Sequence, residues 1–100
     1  MDFFSEKQIE QRLSAAVKKS SGLALKFVSP SFAGMPDRLV LLPDGKMAFV
    51  EVKVPGKKPR PLQVKRHEML RALGFQVFVL DCASDIPGVM EKIAKGGKLT

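Results

Sequence analysis

Residues 34–53 read GMPDRLVLLPDGKMAFVEVK, two apolar runs joined by a turn. The runs cover residues 38–42 and 47–54, and a Pro-Asp-Gly segment at residues 43–45 separates them. Proline, aspartate and glycine in this order predict a three-residue hairpin loop, a type I turn followed by a left-handed glycine. The stretch therefore predicts two neighbouring antiparallel strands.

The loop length sets the register of this predicted hairpin. If Leu42 pairs with Lys46, counting along both strands places Asp37 opposite Glu51. Side chains alternate between the two faces of a strand, so Glu51 and Lys53 are expected on the face that Asp37 occupies. Opposed like charges destabilise a sheet. Two carboxylates here therefore call for a cation, supplied in part by Lys53 and in part by Mg²⁺ or Mn²⁺, which prefer oxygen ligands.

The strand that carries Glu51 is predicted to lie in the centre of the sheet. Phe49, Val50 and Val52 make both of its faces apolar, as expected for a strand covered on both sides. In the alternative interpretation, Asp37 only caps the turn after the proline and Glu51 lies on a solvated outer face. Charged residues inside such an apolar strand are uncommon without a partner, which favours the metal site.

Composition restricts the class of protein. The 100 residues, 45% hydrophobic and 27% charged, predict one folded domain over residues 1–100. No run approaches the roughly 18 apolar residues of a membrane span and no signal-peptide pattern is present, so we expect a cytoplasmic protein without a membrane partner. The single cysteine, Cys82, excludes an internal disulfide, and one Cys with one His argues against zinc. No glycine-rich phosphate loop is present, so no small-molecule cofactor is expected.

The positive charge is concentrated in one segment. The net charge is +7, and residues 53–66 contain no acidic residue. The candidate nucleic-acid-binding residues in and after the proline-rich loop are Lys57, Lys58, Arg60, Lys65 and Arg66. Taken alone, such a cluster is equally well explained as a solvated surface. Beside a metal site it would neutralise phosphates and hold a polyanionic backbone.

The remaining sequence predicts an α/β fold with the element order αβββαβα. Ser5 and Gln8 form a capping box that begins a first helix over residues 6–19. The other predicted elements are a strand at residues 23–27, a helix at 62–73, a strand at 75–80 and a last helix from Pro87. The strand after the helical crossover is expected to be parallel to that of Glu51, which makes a mixed sheet flanked by helices.

The pattern of apolar residues predicts several buried positions. The helix over residues 62–73 is expected to place Arg66, Met69, Leu70 and Leu73 on one side and His67 on its outer side. The phenylalanines expected in the core are Phe27, Phe32, Phe49, Phe75 and Phe78. Phe3 and Phe4 are expected to pack on the first helix or on a dimer partner. His67 and Cys82 are interpreted as surface or packing residues, since neither has a catalytic partner in the sequence.

These residues resemble the PD-(D/E)xK nuclease superfamily, and in particular its VRR-NUC branch, the virus-type replication-repair nucleases. The resemblance spans nearly the whole chain: Glu10 on the first helix, Gly-x-Pro-Asp at residues 34–37, Glu-x-Lys at 51–53 and Gln63 at the start of the next helix. The short motif alone has many chance matches, whereas four elements in this order are more specific. The resemblance implies a restriction-endonuclease-like fold.

The resemblance also implies roles for the hairpin residues. Asp37 and Glu51 would bind Mg²⁺ or Mn²⁺, helped by the backbone carbonyl of Val52. Lys53 would orient or activate the attacking water. These assignments make the hairpin the catalytic centre.

Two further residues acquire roles from the same resemblance. Glu10 would bind a second ion or a metal-bound water, and Gln63 would support the site or touch the DNA backbone. The alternatives are an exposed first-turn carboxylate for Glu10, favoured by the helix dipole, and an ordinary helix N-terminal residue for Gln63.

The implied activity is that of a metal-dependent, structure-specific DNA endonuclease of phage or viral type, acting in DNA repair. Free-standing single-domain members resemble junction resolvases, so we expect a homodimer that nicks four-way (Holliday) junctions. One active site per chain requires two copies for two symmetric cuts. The alternatives are a nuclease acting on flaps or single strands, and a non-catalytic nucleic-acid-binding module.

Overall fold

The structure, a computed structural model, describes residues 4–96. The regular elements are α1 (Glu6–Lys19), β1 (Leu23–Lys26), β2 (Arg38–Leu42), β3 (Lys46–Val52), α2 (Pro61–Ala72), β4 (Gln76–Leu80) and α3 (Ile86–Lys95). Short 3-10 turns at Pro43–Gly45 and Ala83–Asp85 join β2 to β3 and lead into α3. The predicted order αβββαβα is confirmed. No helix within the described residues is long and apolar enough to cross a bilayer.

The four strands form one mixed sheet in the order β1-β2-β3-β4. β1, β2 and β3 are antiparallel neighbours, and β4 pairs with β3 in parallel. Leu42 pairs with Lys46 and Leu39 with Phe49, so the predicted hairpin register is confirmed. The last ladder pair is Arg38 with Val50. Asp37 and Glu51 follow directly beyond it, where β3 is a central strand as predicted.

The turn of the hairpin differs from its predicted type. Asp44 has φ 66° and Gly45 has φ 72°, so both residues are left-handed. A type I turn requires a negative φ at Asp44, and that prediction was wrong. Aspartate is one of the few residues that tolerate this conformation, because its short polar side chain can bond locally.

Helices cover both faces of the sheet. α1 and α3 pack on the face that carries Val50 and Val52, together with Leu80 of β4. On the opposite face, Phe49 and Val77 pack against Leu70 of α2. Since side chains alternate along β3, Glu51 and Lys53 belong to the α2 face.

The buried side of α2 agrees with the predicted one only at Leu70. Gln63, His67 and Leu70 are buried, whereas Met69 and Leu73 are 42% and 74% exposed. His67 is 2% exposed, so its predicted position on the outer side was wrong. The helix places polar side chains inward because a carboxylate lies beneath them on β3, as described below.

The phenylalanines divide between core and surface. Phe49 is buried and Phe27 and Phe78 pack against the core, as predicted. The prediction was wrong for Phe32 and Phe75, which are 41% and 40% exposed. Phe4 packs against the core, with the Arg12 guanidinium 4.0 Å from its ring centre. Phe3 lies outside the described residues.

Candidate metal centre

The position of Asp37 is fixed by the loop that precedes it, which contains Gly34, and by hydrogen bonds to two neighbouring backbone segments. Gly34, with φ +88°, has no room for a side chain, since a Cβ there would lie 2.8 Å from Leu62 Cγ. The carbonyl of Asp37 accepts a hydrogen bond from Phe27 N at 2.9 Å. Its side-chain Oδ1 accepts from Val52 N at 3.2 Å. The carboxylate is therefore held at the ends of β2 and β3.

Glu51 lies deeper, under α2, and is only 3% exposed. Its Oε2 accepts a hydrogen bond from Gln63 Nε2 at 3.2 Å, and Lys53 Nζ is 3.6 Å from the same oxygen. Its Oε1 is buried without a hydrogen bond, and His67 Nε2 lies 3.6 Å from it. Nitrogen atoms of Lys53, directly after β3, and of Gln63 and His67 on α2 thus surround this carboxylate.

The electrostatics of the two carboxylates favour a bound cation. Burial, and secondly the charge of Asp37, raise the pKa of Glu51 to about 7, although Lys53 opposes the shift. Burial also raises the pKa of Asp37, opposed first by the hydrogen bond from Val52, while Glu10 raises it further. Each group therefore ionises at an energetic cost that a positive ion would remove.

α1 brings further carboxylates to Asp37 from the other face of the sheet. Oxygen atoms of Glu6, Glu10 and Asp37 all lie within 4.8 Å of one another. Glu10 also forms an ion pair with Arg38, with its Oε1 2.7 Å from the Arg38 NH2 atom. Glu6 was not among the site residues predicted from the sequence. The available signal was its spacing, because residues four apart share one face of a helix.

The residues present fit a hard divalent cation. Carboxylate oxygens converge on Asp37 from α1, and Glu51 keeps a buried oxygen that forms no hydrogen bond. Oxygen ligands of this kind suit Mg²⁺ and Mn²⁺. In an antiparallel ladder the N–H and C=O of one residue face the same neighbouring strand. The Val52 carbonyl therefore faces the side of Asp37, since the Val52 N–H bonds to that residue.

Gln63 connects the metal centre to the basic, proline-rich loop over residues 55–60, which precedes α2. Its Nε2 donates to Glu51, while its Oε1 accepts from the Arg60 backbone N–H at 2.8 Å. One amide thus caps α2 and holds Glu51, which places the end of the basic loop next to the carboxylates.

The other basic residues have different surroundings. Lys57, Lys58, Arg60 and Lys65 are exposed. Arg66 instead holds the loop before Asp37: its Nε donates to the Ala33 carbonyl at 2.8 Å, and its guanidinium lies 3.8 Å from the Phe32 ring centre. Arg66 would therefore have to give up these contacts within the protein in order to bind nucleic acid as predicted.

Comparison with known proteins identifies the family. The sequence profile of the VRR-NUC domain matches residues 2–84. The chain belongs to the VRR-NUC family. This confirms the resemblance found in the sequence, and every residue of the candidate metal centre lies within the matched range.

Two relatives extend this identification. The VRR-NUC chain is 48% identical over 93 residues to a protein named "Putative nuclease p44" from Acyrthosiphon pisum secondary endosymbiont phage 1, covering 93% of this chain and 99% of the relative. A solved structure described as a VRR_NUC domain superposes with a TM-score of 0.81 at 31% identity. That match covers 88% of this chain and 97% of the other. The restriction-endonuclease-like fold is thereby confirmed.

Proposed function

We propose that this VRR-NUC protein is a metal-dependent endonuclease that hydrolyses DNA phosphodiester bonds as a single nuclease domain. The observation that carries the proposal is that Asp37 is hydrogen-bonded to Val52, the residue next to Glu51, and that its charge acts on Glu51, whose carboxylate lies 3.6 Å from the Lys53 amine. The name of the phage relative, which describes it as a nuclease, supports the same activity.

Asp37 and Glu51 would hold the ion, assisted by the Val52 carbonyl, and Glu10 and Glu6 would hold a second ion or its water. Bound there, Mg²⁺ or Mn²⁺ supplies Lewis-acid chemistry: it polarises the scissile phosphate and lowers the pKa of a water. The protein's contribution is to keep these oxygens fixed and close together, which the hydrogen bonds from Val52 and Gln63 accomplish.

Lys53 would orient the attacking water and stabilise the charge that develops on the phosphate. Its Nζ lies 3.6 Å from Glu51 Oε2, and its side chain is 18% exposed, so the amine is held at the site yet accessible. A preorganised cation of this kind contributes about 100- to 1000-fold to rate. Removing it should reduce turnover more than DNA binding.

The basic loop would hold the DNA backbone at the centre. Lys57, Lys58 and Arg60 are exposed, and Arg60 is joined through Gln63 to Glu51. Lys65 is exposed on α2 and extends the positive surface. Phosphates attracted to these cations would lie close to the carboxylates that act on them.

We further propose that the substrate is branched DNA, nicked by a homodimer at four-way junctions. The support is geometric: one centre cuts one strand, and a symmetric pair of cuts requires two copies. Light scattering on the purified protein tests the dimer. A monomer at assay concentration shifts the proposal to single cuts in flaps or single strands.

The deciding experiment is a cleavage assay on labelled flap, splayed-arm, four-way and duplex DNA with Mg²⁺ or Mn²⁺. We expect strand cleavage, strongest on the four-way junction, that stops completely when EDTA is added. Asp37→Asn provides the matched control, because it keeps the size of the side chain. Binding without cleavage of any substrate at any divalent metal would instead identify a non-catalytic nucleic-acid-binding module.

A further inference from the structure

His67 makes a contact that the proposed chemistry does not use. It is the only histidine of the chain and is 2% exposed. Its Nε2 lies 3.6 Å from Glu51 Oε1, and neither atom has a hydrogen-bond partner among the described residues. An unsatisfied buried polar atom destabilises the fold, so two that face each other require an explanation.

The position of His67 on α2 provides an explanation for these two unsatisfied atoms. Gln63 and His67 are four residues apart, and such residues share one face of a helix. Gln63 Nε2 donates to one oxygen of Glu51, and His67 Nε2 faces the other. A single helix thus directs two nitrogen atoms at the two oxygens of one carboxylate.

The three nitrogen neighbours do not use every acceptor position of Glu51. An ionised carboxylate has about four lone-pair positions. Nitrogen atoms of Gln63, Lys53 and His67 face three of them. By this count one acceptor position remains for an ion.

We propose that His67 is a positioning residue, which holds Glu51 Oε1 so that the carboxylate keeps the rotation needed to share an ion with Asp37. The inference rests on the proposed function, because it concerns the same centre. The 3.6 Å separation closes to a hydrogen bond with a small movement of either side chain when the site is loaded. A partner that orients a metal ligand typically contributes about 10- to 100-fold to metal affinity or activity.

Two substitutions separate orientation from packing. His67→Leu fills similar space but has no donor, whereas the amide of His67→Gln can bring a nitrogen close to the position of Nε2. Calorimetric titration of Mn²⁺ into the intact proteins without DNA should show about 10-fold or greater loss of affinity in His67→Leu. His67→Gln should stay within about threefold of wild type, and both should fold, as checked by circular dichroism.

Kinetics provide a second measurement that packing alone would not alter. At saturating DNA, kcat of His67→Leu should fall while KM for DNA stays unchanged, since the side chain is buried and does not offer a surface to DNA. Wild-type Mn²⁺ affinity in a folded His67→Leu protein would overturn the inference. Equal loss in both variants would also overturn it, because the imidazole would then only fill space.

If His67→Leu does not fold, nitrogen NMR of the wild type decides the question, because a single histidine gives a single imidazole. In Mg²⁺-loaded protein, Nε2 should carry the proton, as a donor to Glu51 must. A neutral ring protonated only at Nδ1 would contradict the inference. Failure of the proposed function is distinguishable, because wild-type protein would then neither bind Mn²⁺ nor cleave DNA.

Discussion

Asp37 Oδ1 accepts a hydrogen bond from the Val52 backbone at 3.2 Å, which joins the Gly-x-Pro-Asp segment to the strand that carries Glu51 and Lys53. Because of this hydrogen bond, substitutions of Asp37 can distinguish its structural role from its proposed catalytic role. Asp37→Asn keeps an oxygen acceptor and removes a carboxylate whose pKa is raised by burial, so its unfolding free energy in EDTA at neutral pH should be no lower than that of wild type. Asp37→Ala loses the acceptor and should be about 1 kcal/mol less stable. Both should lose cleavage; full activity in folded Asp37→Asn would remove Asp37 from the centre.

The raised pKa of Glu51 predicts how stability depends on pH. The folded protein binds a proton at Glu51 with a pKa of about 7, above the ordinary value of 4.5. The stabilisation is therefore complete below about pH 4.5 and is lost as pH rises through 7. Glu51→Gln has no such proton, so in EDTA it should become more stable than wild type by about 1–3 kcal/mol between pH 4.5 and 8. Urea unfolding across this range measures the difference.

The control for the pH experiment is the same unfolding measurement with Mg²⁺ in place of EDTA. Mg²⁺ at pH 8 should stabilise wild type, because a ligand that binds only the folded state shifts the equilibrium toward it. It should have much less effect on Glu51→Gln. If the difference in unfolding free energy between wild type and Glu51→Gln does not change with pH, burial does not raise the pKa of Glu51, and this part of the account is contradicted.

Glu6 should contribute to metal binding although its side chain is exposed. It offers an oxygen within 4.8 Å of those of Glu10 and Asp37. Glu6→Gln should weaken Mn²⁺ binding or cleavage about 10-fold, within the range for groups that support a metal site. Glu91→Gln is the matched control, because Glu91 is an exposed helix carboxylate paired with Lys95 on α3. Equal effects of the two substitutions would exclude Glu6 from the centre.

The basic loop should determine the salt dependence of DNA binding. In the Lys57→Ala, Lys58→Ala double variant, the slope of log K against log salt should fall by about 0.9 for each phosphate that the loop no longer neutralises. The control pair is Lys18 with Lys19, at the end of α1 and about 12 Å along the helix axis from Glu10. Fluorescence anisotropy in EDTA measures binding without cleavage. An unchanged slope in the loop variant would show that this loop does not contact DNA.

Arg66 should matter for stability more than for DNA binding. Arg66→Ala removes the hydrogen bond to Ala33 and the contact with Phe32, and should cost about 1–2 kcal/mol. Lys65→Ala, at the exposed neighbouring position, should change stability by less than about 0.5 kcal/mol. Thermal unfolding compares the two. If Arg66→Ala loses DNA affinity while its stability is unchanged, Arg66 binds the nucleic acid instead of stabilising the loop.

Local signals made much of this fold predictable. The Ser5–Gln8 capping box marks the start of α1, and the Pro-Asp-Gly loop sets the β2–β3 register; the structure has both. These features depend on residues close together in the sequence. The turn type was missed because aspartate fits both negative and positive φ, so its conformation depends on the strands around it.

The burial of His67 depends on a distant residue. α2 exposes Leu62, Val64 and Leu73, and it buries the polar Gln63 and His67 together with Leu70, so its buried face is not its most apolar face. Apolar periodicity predicts the wrong side because the helix packs partly against the Glu51 carboxylate, sixteen residues before His67, rather than only against apolar side chains.

The most direct test of the central claim is the single-turnover cleavage rate of one labelled four-way junction in Mg²⁺. Wild type is compared with Asp37→Asn, Glu51→Gln and Lys53→Ala, all verified as folded. Wild type should cleave and should stop in EDTA, and each variant should be slower by about 100-fold or more. Wild-type rates in the three variants, or cleavage that continues in EDTA, would contradict the assignment of this centre.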